Sequence, residues 1–532
     1  MCGIFACIGE CDKGVCVQYS NRIAHRGPEE TVNVLTPIFM AFHRLRINGT
    51  RPQSSQPFYI DGCYLMCNGE IYNHRQLVQA FNIQVQGDSD CEVICHLYRL
   101  FGLERTLKLL DGVFALILYD ERTETSWVAR DKYGVRQLFI AWDRPDKRLP
   151  PTTVAVASEA KALIFLPHCR QVLPGSMFRV SLPFVTESVW FEPVFPIKYR
   201  VYPELMSLIR KLFTDAVRKR TMSDRPIGCL LSGGLDSSLI AAVLQSQRSH
   251  LPQDQAHLHT FSIGLTGSPD LEAARKVATF LGTAHHEVVC SIEEMLDLIP
   301  ETVYVTGSYD VTTIRASVWH YRISQYVRDN TSIKVVFSGE YSDEQNLSYL
   351  YGANAPSERE FYLESIRLLQ DIGYFDNLRG DHCISACGLE ARVPFADHDF
   401  MQLMLSIPPE LKMFGTSRGN RVEKHVLREA FTGYLPKDIL WRRKNGFSDS
   451  VSPVTDSWST IIQRHVDTII SDEEFAARQC DSATKEAYWY KKTYLTHYPE
   501  SFRTTPYQWL PKWCGNVTDP SARALTSLYR AD

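Results

Sequence analysis

Two stretches of this 532-residue chain hold residues whose types and spacing could do chemistry. The first is the start, Met1-Cys2-Gly3-Ile4-Phe5. A small second residue permits removal of the initiator methionine, after which Cys2 carries a thiol and a free α-amine. An α-amine titrates at about 7.7–8.0, so part of it is neutral at pH 7 and can take the thiol proton. One residue then supplies nucleophile and base. The alternative is a core cysteine beside a frayed terminus. The second stretch is Leu231-Ser232-Gly233-Gly234-Leu235-Asp236-Ser237-Ser238. Its two glycines let a backbone turn sharply and approach a ligand closely. Ser237 and Ser238 suit a helix start, whose free N–H groups bind phosphate. A Walker A loop is excluded, because no Gly-Lys-Ser/Thr follows.

The elements that must position these residues are legible around them. Ile227 to Leu231 is short, apolar and bounded by Pro226 and Gly233, which predicts a buried parallel strand. Leu239 to Leu244 continues as helix. Thr260–Leu265 and Lys334–Glu340 are further strand candidates, and Ser268-Pro269 caps a helix between them. Ligands in such sheets bind at the carboxyl ends of strands, which gathers Ser232–Ser238, Ile263-Gly264 and Ser338–Glu344. The first half instead shows short alternating strands such as Leu110–Asp120, and residues 183–203 turn irregular with four prolines. The expected division is 1–185, a linker over 186–203, and 204–532.

Composition narrows the class. Hydrophobic content of 44% and charged content of 22% are those of a globular chain, and a net charge of −4 gives no electrostatic case for nucleic acid or an anionic membrane. No apolar run is long enough to span a bilayer. The fifteen cysteines are odd in number and include no Cys-x-x-Cys pair, so free, mostly buried thiols in the cytoplasm are expected.

Further motifs carry a resemblance. After Cys2 come His25-Arg26-Gly27-Pro28, Phe42-His43-Arg44-Leu45, Asn68-Gly69-Glu70-Ile71 and Ser89-Asp90-Cys91-Glu92. In that order they resemble class II glutamine amidotransferases, N-terminal-nucleophile hydrolases with αββα layering that release ammonia from glutamine. The resemblance implies that Cys2 is the nucleophile, and that Arg44, Leu45, Arg46, Ile47, Asn48, Glu70 and Asp90 surround glutamine. Arg44 would take its carboxylate, Glu70 and Asp90 its ammonium, and Asn68 with Gly69 the oxyanion.

The loop Ser232–Ser238 resembles the signature of ATP pyrophosphatases, which sit on a doubly wound parallel sheet. Ser308–Ser317 with Asp310-Val311-Thr312-Thr313, Gly388–Phe395, Arg421–Arg428 and Trp441–Asp449 narrow the resemblance to the glutamine-hydrolysing asparagine synthetase family, most closely its eukaryotic members. That implies β-aspartyl-AMP formation from aspartate and ATP, followed by attack of ammonia delivered through a dry, apolar passage. It implies ATP contacts from Leu231, Ser232, Gly233, Gly234, Asp236, Ser237, Ile263, Ser338 and Gly339. Aspartate and the intermediate fall to Asp310, Thr312, Thr313, Arg315 and Glu340, with Glu340 and Lys444 catalytic. Magnesium falls to Asp236 and Asp343, and a homodimer is the implied assembly.

Departures from the family pattern all lie in the second half. Tyr341 stands in the third strand's loop where the family has glycine, Ser348 replaces another glycine, and Asp381-His382-Cys383 replaces Asp-Arg-Thr. If the Tyr341 φ is positive, about 1–2 kcal/mol of strain follows. Three readings stand: an active synthetase, an amidotransferase with an altered or lost synthetase, and a catalytically silent regulatory relative.

Overall fold

The chain folds as two α/β units that share buried surface. The computed structural model describes every residue except 145–149, 194–201, 252–256, 416, 417, 419, 420, 445, 454, 503 and 522–532. Part of the expected linker, 194–201, therefore lies outside the described residues.

In the first half, alternating apolar residues build two six-stranded sheets. Strand Gly3–Gly9 runs antiparallel between Phe39–Arg44 and Thr153–Ala157, which sets Gly3 opposite His43. In the second sheet, Cys63–Ile71 pairs with Gly112–Asp120 along its full length. Ile4, Ala6, Met40 and Phe42 from the first sheet meet Met66, Ala115 and Ile117 from the second in a fully apolar core. The outer face of the second sheet is covered by the helices Val93–Phe101 and Leu103–Leu109. The outer face of the first meets helix Lys13–Ser20 and helices of the second half. This is the expected αββα layering. Strand Phe184–Val189 pairs with Ser176–Ser181, so residues 186–189 belong to this sheet and not to a linker.

The second half carries a parallel sheet of five strands in the order Ala284–Cys290, His259–Leu265, Ile227–Leu230, Val335–Phe337, Glu390–Arg392. Chain order reverses between Ile227–Leu230 and Val335–Phe337. That crevice, beyond their carboxyl ends, is where a doubly wound sheet binds ligands. Ser268 caps helix Pro269–Leu281 as expected, and Asp310 caps the long helix Val311–Asn330. The helix after the glycine loop begins at Leu235 with Gly234 as N-cap, two residues earlier than the serines suggest. Ser237 and Ser238 fall inside its first turn. The Ser237 hydroxyl instead accepts from the Ser232 N–H at 3.1 Å and braces the loop. Gly233 is held at φ +71°, and a Cβ there would lie 2.5 Å from Ala273, so only glycine fits. No helix among the described residues is long and apolar enough to cross a membrane. None of the fifteen cysteines forms a disulfide.

Candidate active site

The register that sets Gly3 opposite His43 places Cys2 beside Leu45. The Leu45 N–H points at the Cys2 sulfur at 3.4 Å, and the thiol faces the Leu45 carbonyl at 3.6 Å. Met1 is wholly buried, its α-ammonium donating to the Leu389 carbonyl at 2.7 Å. Burial lowers that amine to about 5 and pushes the Cys2 thiol up to about 11. With Met1 in place the thiol has no amine of its own to act as base.

Strand Cys63–Ile71 delivers Asn68, Gly69 and Glu70. The Asn68 side-chain N–H₂ is buried without a partner, a donor held ready for an anion that the protein itself does not supply. Glu70 contacts the Asn48 amide and lies 3.4 Å from Arg392 of the second half. Burial, then the carboxylates of Glu390 and Asp90, raise Glu70 well above the usual range. Asp90 accepts from the Ile71 N–H at 2.6 Å. The Arg44 guanidinium is engaged by Glu30 at 3.0 Å and by the Gly49 and Arg51 carbonyls at 2.6 and 2.9 Å. Arg46 lies 3.4 Å from the same Glu30 carboxylate, and Ile47 is buried.

Cys2 packs against an apolar cluster that includes residues of the second half, and an ionic patch lies close by. Glu390 pairs with Arg392 at 2.9 Å and lies 3.6 Å from Arg136, and Arg392 reaches Glu70. Glu390 lies between Arg136 and Arg392, and Arg392 also faces Glu70, so the patch is buried and ionic.

The second site is an open cleft at the crevice between the sheet strands. Leu231, Ser232, Gly234, Asp236, Ser237, Ile263, Ser338, Gly339, Glu340, Asp343 and Lys444 all line it. Gly233 does not, being spent on packing against Ala273. Asp236 and Asp343 converge on one point, occupied by the Lys424 ammonium at 2.5 and 2.6 Å, and Lys444 contacts Asp343. These cations hold Asp343 far below the usual carboxylate range against the opposing pull of burial. Ser342 and Ser348 bond the two carboxylates at 2.6 and 2.5 Å. Glu340 is buried with one oxygen unpartnered, 3.8 Å from the His320 ring and 4.0 Å from Arg379. Burial raises its carboxyl above the usual range, so it can exchange a proton nearer neutrality.

The remaining expected residues are not among those that line the cleft. Asp310 caps its helix through the Thr313 N–H and hydroxyl at 2.8 and 2.9 Å, and accepts from the Trp509 N–H. The Arg315 guanidinium is shared between Glu486 and Asp519, at 2.6 and 2.8 Å. The Thr312 hydroxyl is buried without a partner.

Sequence reasoning missed Lys424, His320 and Arg379. Lys424 sits at φ +56°, a conformation that no spacing announces. His320 was findable: Thr313, Ser317, His320 and Ser324 form a buried polar stripe at helical spacing on Val311–Asn330.

A family model described as "Glutamine amidotransferase domain" matches residues 1–188, and one described as "Asparagine synthase" matches 208–366 and 353–516. The chain is 42% identical over 571 aligned residues to "Asparagine synthetase [glutamine-hydrolyzing]" of Cricetulus griseus, covering 99% of each chain. The Homo sapiens protein of that name is 41% identical with the same coverage, and that of Bos taurus 41% identical over 100% and 99%.

Proposed function

Because this chain belongs to the glutamine-hydrolysing asparagine synthetase family, we infer that it makes asparagine from aspartate, ATP and the ammonia of glutamine, releasing AMP, pyrophosphate and glutamate. The observation that carries the reading is the crevice at which Asp236, Asp343, Lys424, Lys444 and Glu340 converge.

The residue roles are our assignment. Once Met1 is removed, the Cys2 amine takes the thiol proton, the sulfur attacks the glutamine amide carbon, the amine returns the proton to the departing ammonia, and water hydrolyses the thioester to glutamate and the free thiol. Asn68 then donates to the oxyanion, a role that its unpaired side chain supports. Glu70 and Asp90 take the glutamine ammonium, and Arg44 its carboxylate. In the second site the aspartate β-carboxylate attacks the α-phosphorus of ATP and pyrophosphate leaves. Ammonia then attacks the acyl carbon and AMP leaves. Lys424 and Lys444 neutralise phosphate charge, and Glu340 accepts the proton released by ammonia. Asp236 and Asp343 offer hard oxygens and would hold magnesium to neutralise the pyrophosphate charge once the Lys424 ammonium between them turns to the phosphates. For Asp310 and Arg315 we propose a supporting role, positioning the helix that carries His320.

An altered synthetase finds no support in Tyr341, whose phenol does not line the cleft and reaches the Tyr133 carbonyl instead. We place the boundary between the two units within residues 190–207. The family resemblance and the free thiols underlie our further reading of a cytoplasmic homodimer.

Purified protein given ATP, magnesium and aspartate should release pyrophosphate in step with asparagine, using glutamine or ammonium. Cys2→Ala should lose the glutamine-driven reaction and keep the ammonium-driven one. Glutamate formation without aspartate-dependent pyrophosphate would overturn the synthetase assignment.

A further inference from the structure

Outside both sites, three sulfurs from three successive elements meet at one point. Cys7 lies on strand Gly3–Gly9, Cys11 in the turn that follows, and Cys16 on helix Lys13–Ser20. All three Sγ atoms lie within 4.8 Å of one another, and those of Cys11 and Cys16 are 3.0 Å apart. Cys7 and Cys16 are buried, and Cys11 is half-exposed. The surroundings on the buried side are apolar, with Phe5 and Phe39 in the same cluster. The Asp12 carboxylate caps the helix through the Val15 N–H at 3.0 Å, and the Cys16 N–H bonds the Asp12 carbonyl, which fixes the turn.

Simple core packing does not ask three thiols to face one another, because each offers only a weak donor and acceptor. Sulfur-only sets select soft metal ions.

We propose that Cys7, Cys11 and Cys16 form a three-thiolate site for one thiophilic d10 cation, copper(I) or zinc(II). Copper(I) takes the three sulfurs alone, and zinc(II) adds a water on the exposed side of Cys11. Ligation by thiolates displaces the thiol protons, so uptake strengthens as pH rises. The ion clamps strand Gly3–Gly9 to helix Lys13–Ser20 behind Cys2 and takes no part in the asparagine chemistry.

The test uses the full-length Cys2→Ala protein, reduced, stripped of metal with a chelator, and titrated separately with Zn²⁺ and with Cu⁺. Bound metal per chain is counted by mass spectrometry, and the melting temperature is read alongside. One equivalent of either ion should bind and raise the melting temperature, and the arm that binds identifies the ion. Cys11→Ser, at the half-exposed position, should lose that equivalent and the temperature rise while keeping ammonium-driven asparagine synthesis. Equal metal uptake by Cys11→Ser would overturn the site. So would a Cys11–Cys16 disulfide in the isolated protein that takes up no ion after reduction.

Discussion

Tyr341 holds φ +75° where an L-residue is strained by about 1–2 kcal/mol, yet its ring is wholly buried among the apolar residues that include Val113, Tyr133 and Phe395. Burying such a ring returns about 1.5–3 kcal/mol, so burial matches or exceeds the strain. Tyr341→Gly relieves the backbone but leaves a void, and should lower unfolding free energy by about 2 kcal/mol in a denaturant titration. Tyr341→Phe loses only the bond to the Tyr133 carbonyl and should cost about 1 kcal/mol, with ammonium-driven synthesis retained. A glycine variant more stable than the parent would show that strain dominates. The identity of Tyr341 as a departure was legible in the sequence, as was the strain if φ were positive. The direction of its side chain was not, because it depends on a partner more than two hundred residues away. The same holds for Ser348, which replaces a glycine and supplies a hydroxyl to Asp343. For the sulfur triad, spacings of four and five hid a convergence made by a turn.

At the scale of elements, strands and loops could be read because each is bounded by its own glycines and prolines, and the glycine loop, its strand and its helix stand within two residues of expectation. Which side chains a helix turns toward the cleft was harder to read. Asp310 and Arg315 flank the start of Val311–Asn330, but capping and ion pairing consume both. Asp310 is buried, and burial raises its carboxyl to about 6. Asp310→Ala removes the cap and strands the Trp509 N–H, and should cost about 2 kcal/mol. Asp310→Asn keeps a capping oxygen and should recover much of that loss, with the KM for aspartate unchanged. A raised aspartate KM in Asp310→Asn at parental stability would return Asp310 to the substrate site.

At the scale of the molecule, the two halves are joined by a buried polar cluster that no local pattern could reveal, because the stretches 25–26, 159–161 and 381–385 that build it are each more than a hundred residues from the next. Arg26 donates to the Cys2 carbonyl at 3.1 Å, to Glu159 at 2.9 Å, and across the interface to Asp381 and Ser385 at 2.8 and 2.9 Å. Lys161 pairs with Glu159 at 2.6 Å, His25 with Glu159 at 3.1 Å, and His382 bonds the Thr306 carbonyl at 2.8 Å. Two carboxylates thus face two permanent cations, and the cluster is neutral only while both imidazoles are uncharged. Burial, the largest cause, lowers His25 and His382 below their ordinary value, against the raising pull of Glu159 and, for His382, Asp381. The unfolded chain therefore takes up these protons first as pH falls. Stability is complete above about pH 6.5 and declines below it. His43 and His320, lowered chiefly by burial, act in the same direction. Between about pH 7.5 and 5.5 the melting temperature should fall. Because the cluster binds the Cys2 backbone to the second half, glutamate formed per asparagine should rise above about one over the same range as the interface loosens. His382→Asn keeps an N–H for the Thr306 carbonyl but cannot be protonated, and should flatten both curves. If the product ratio stays constant while the melting temperature falls, acid acts on the fold alone and the cluster does not couple the two sites.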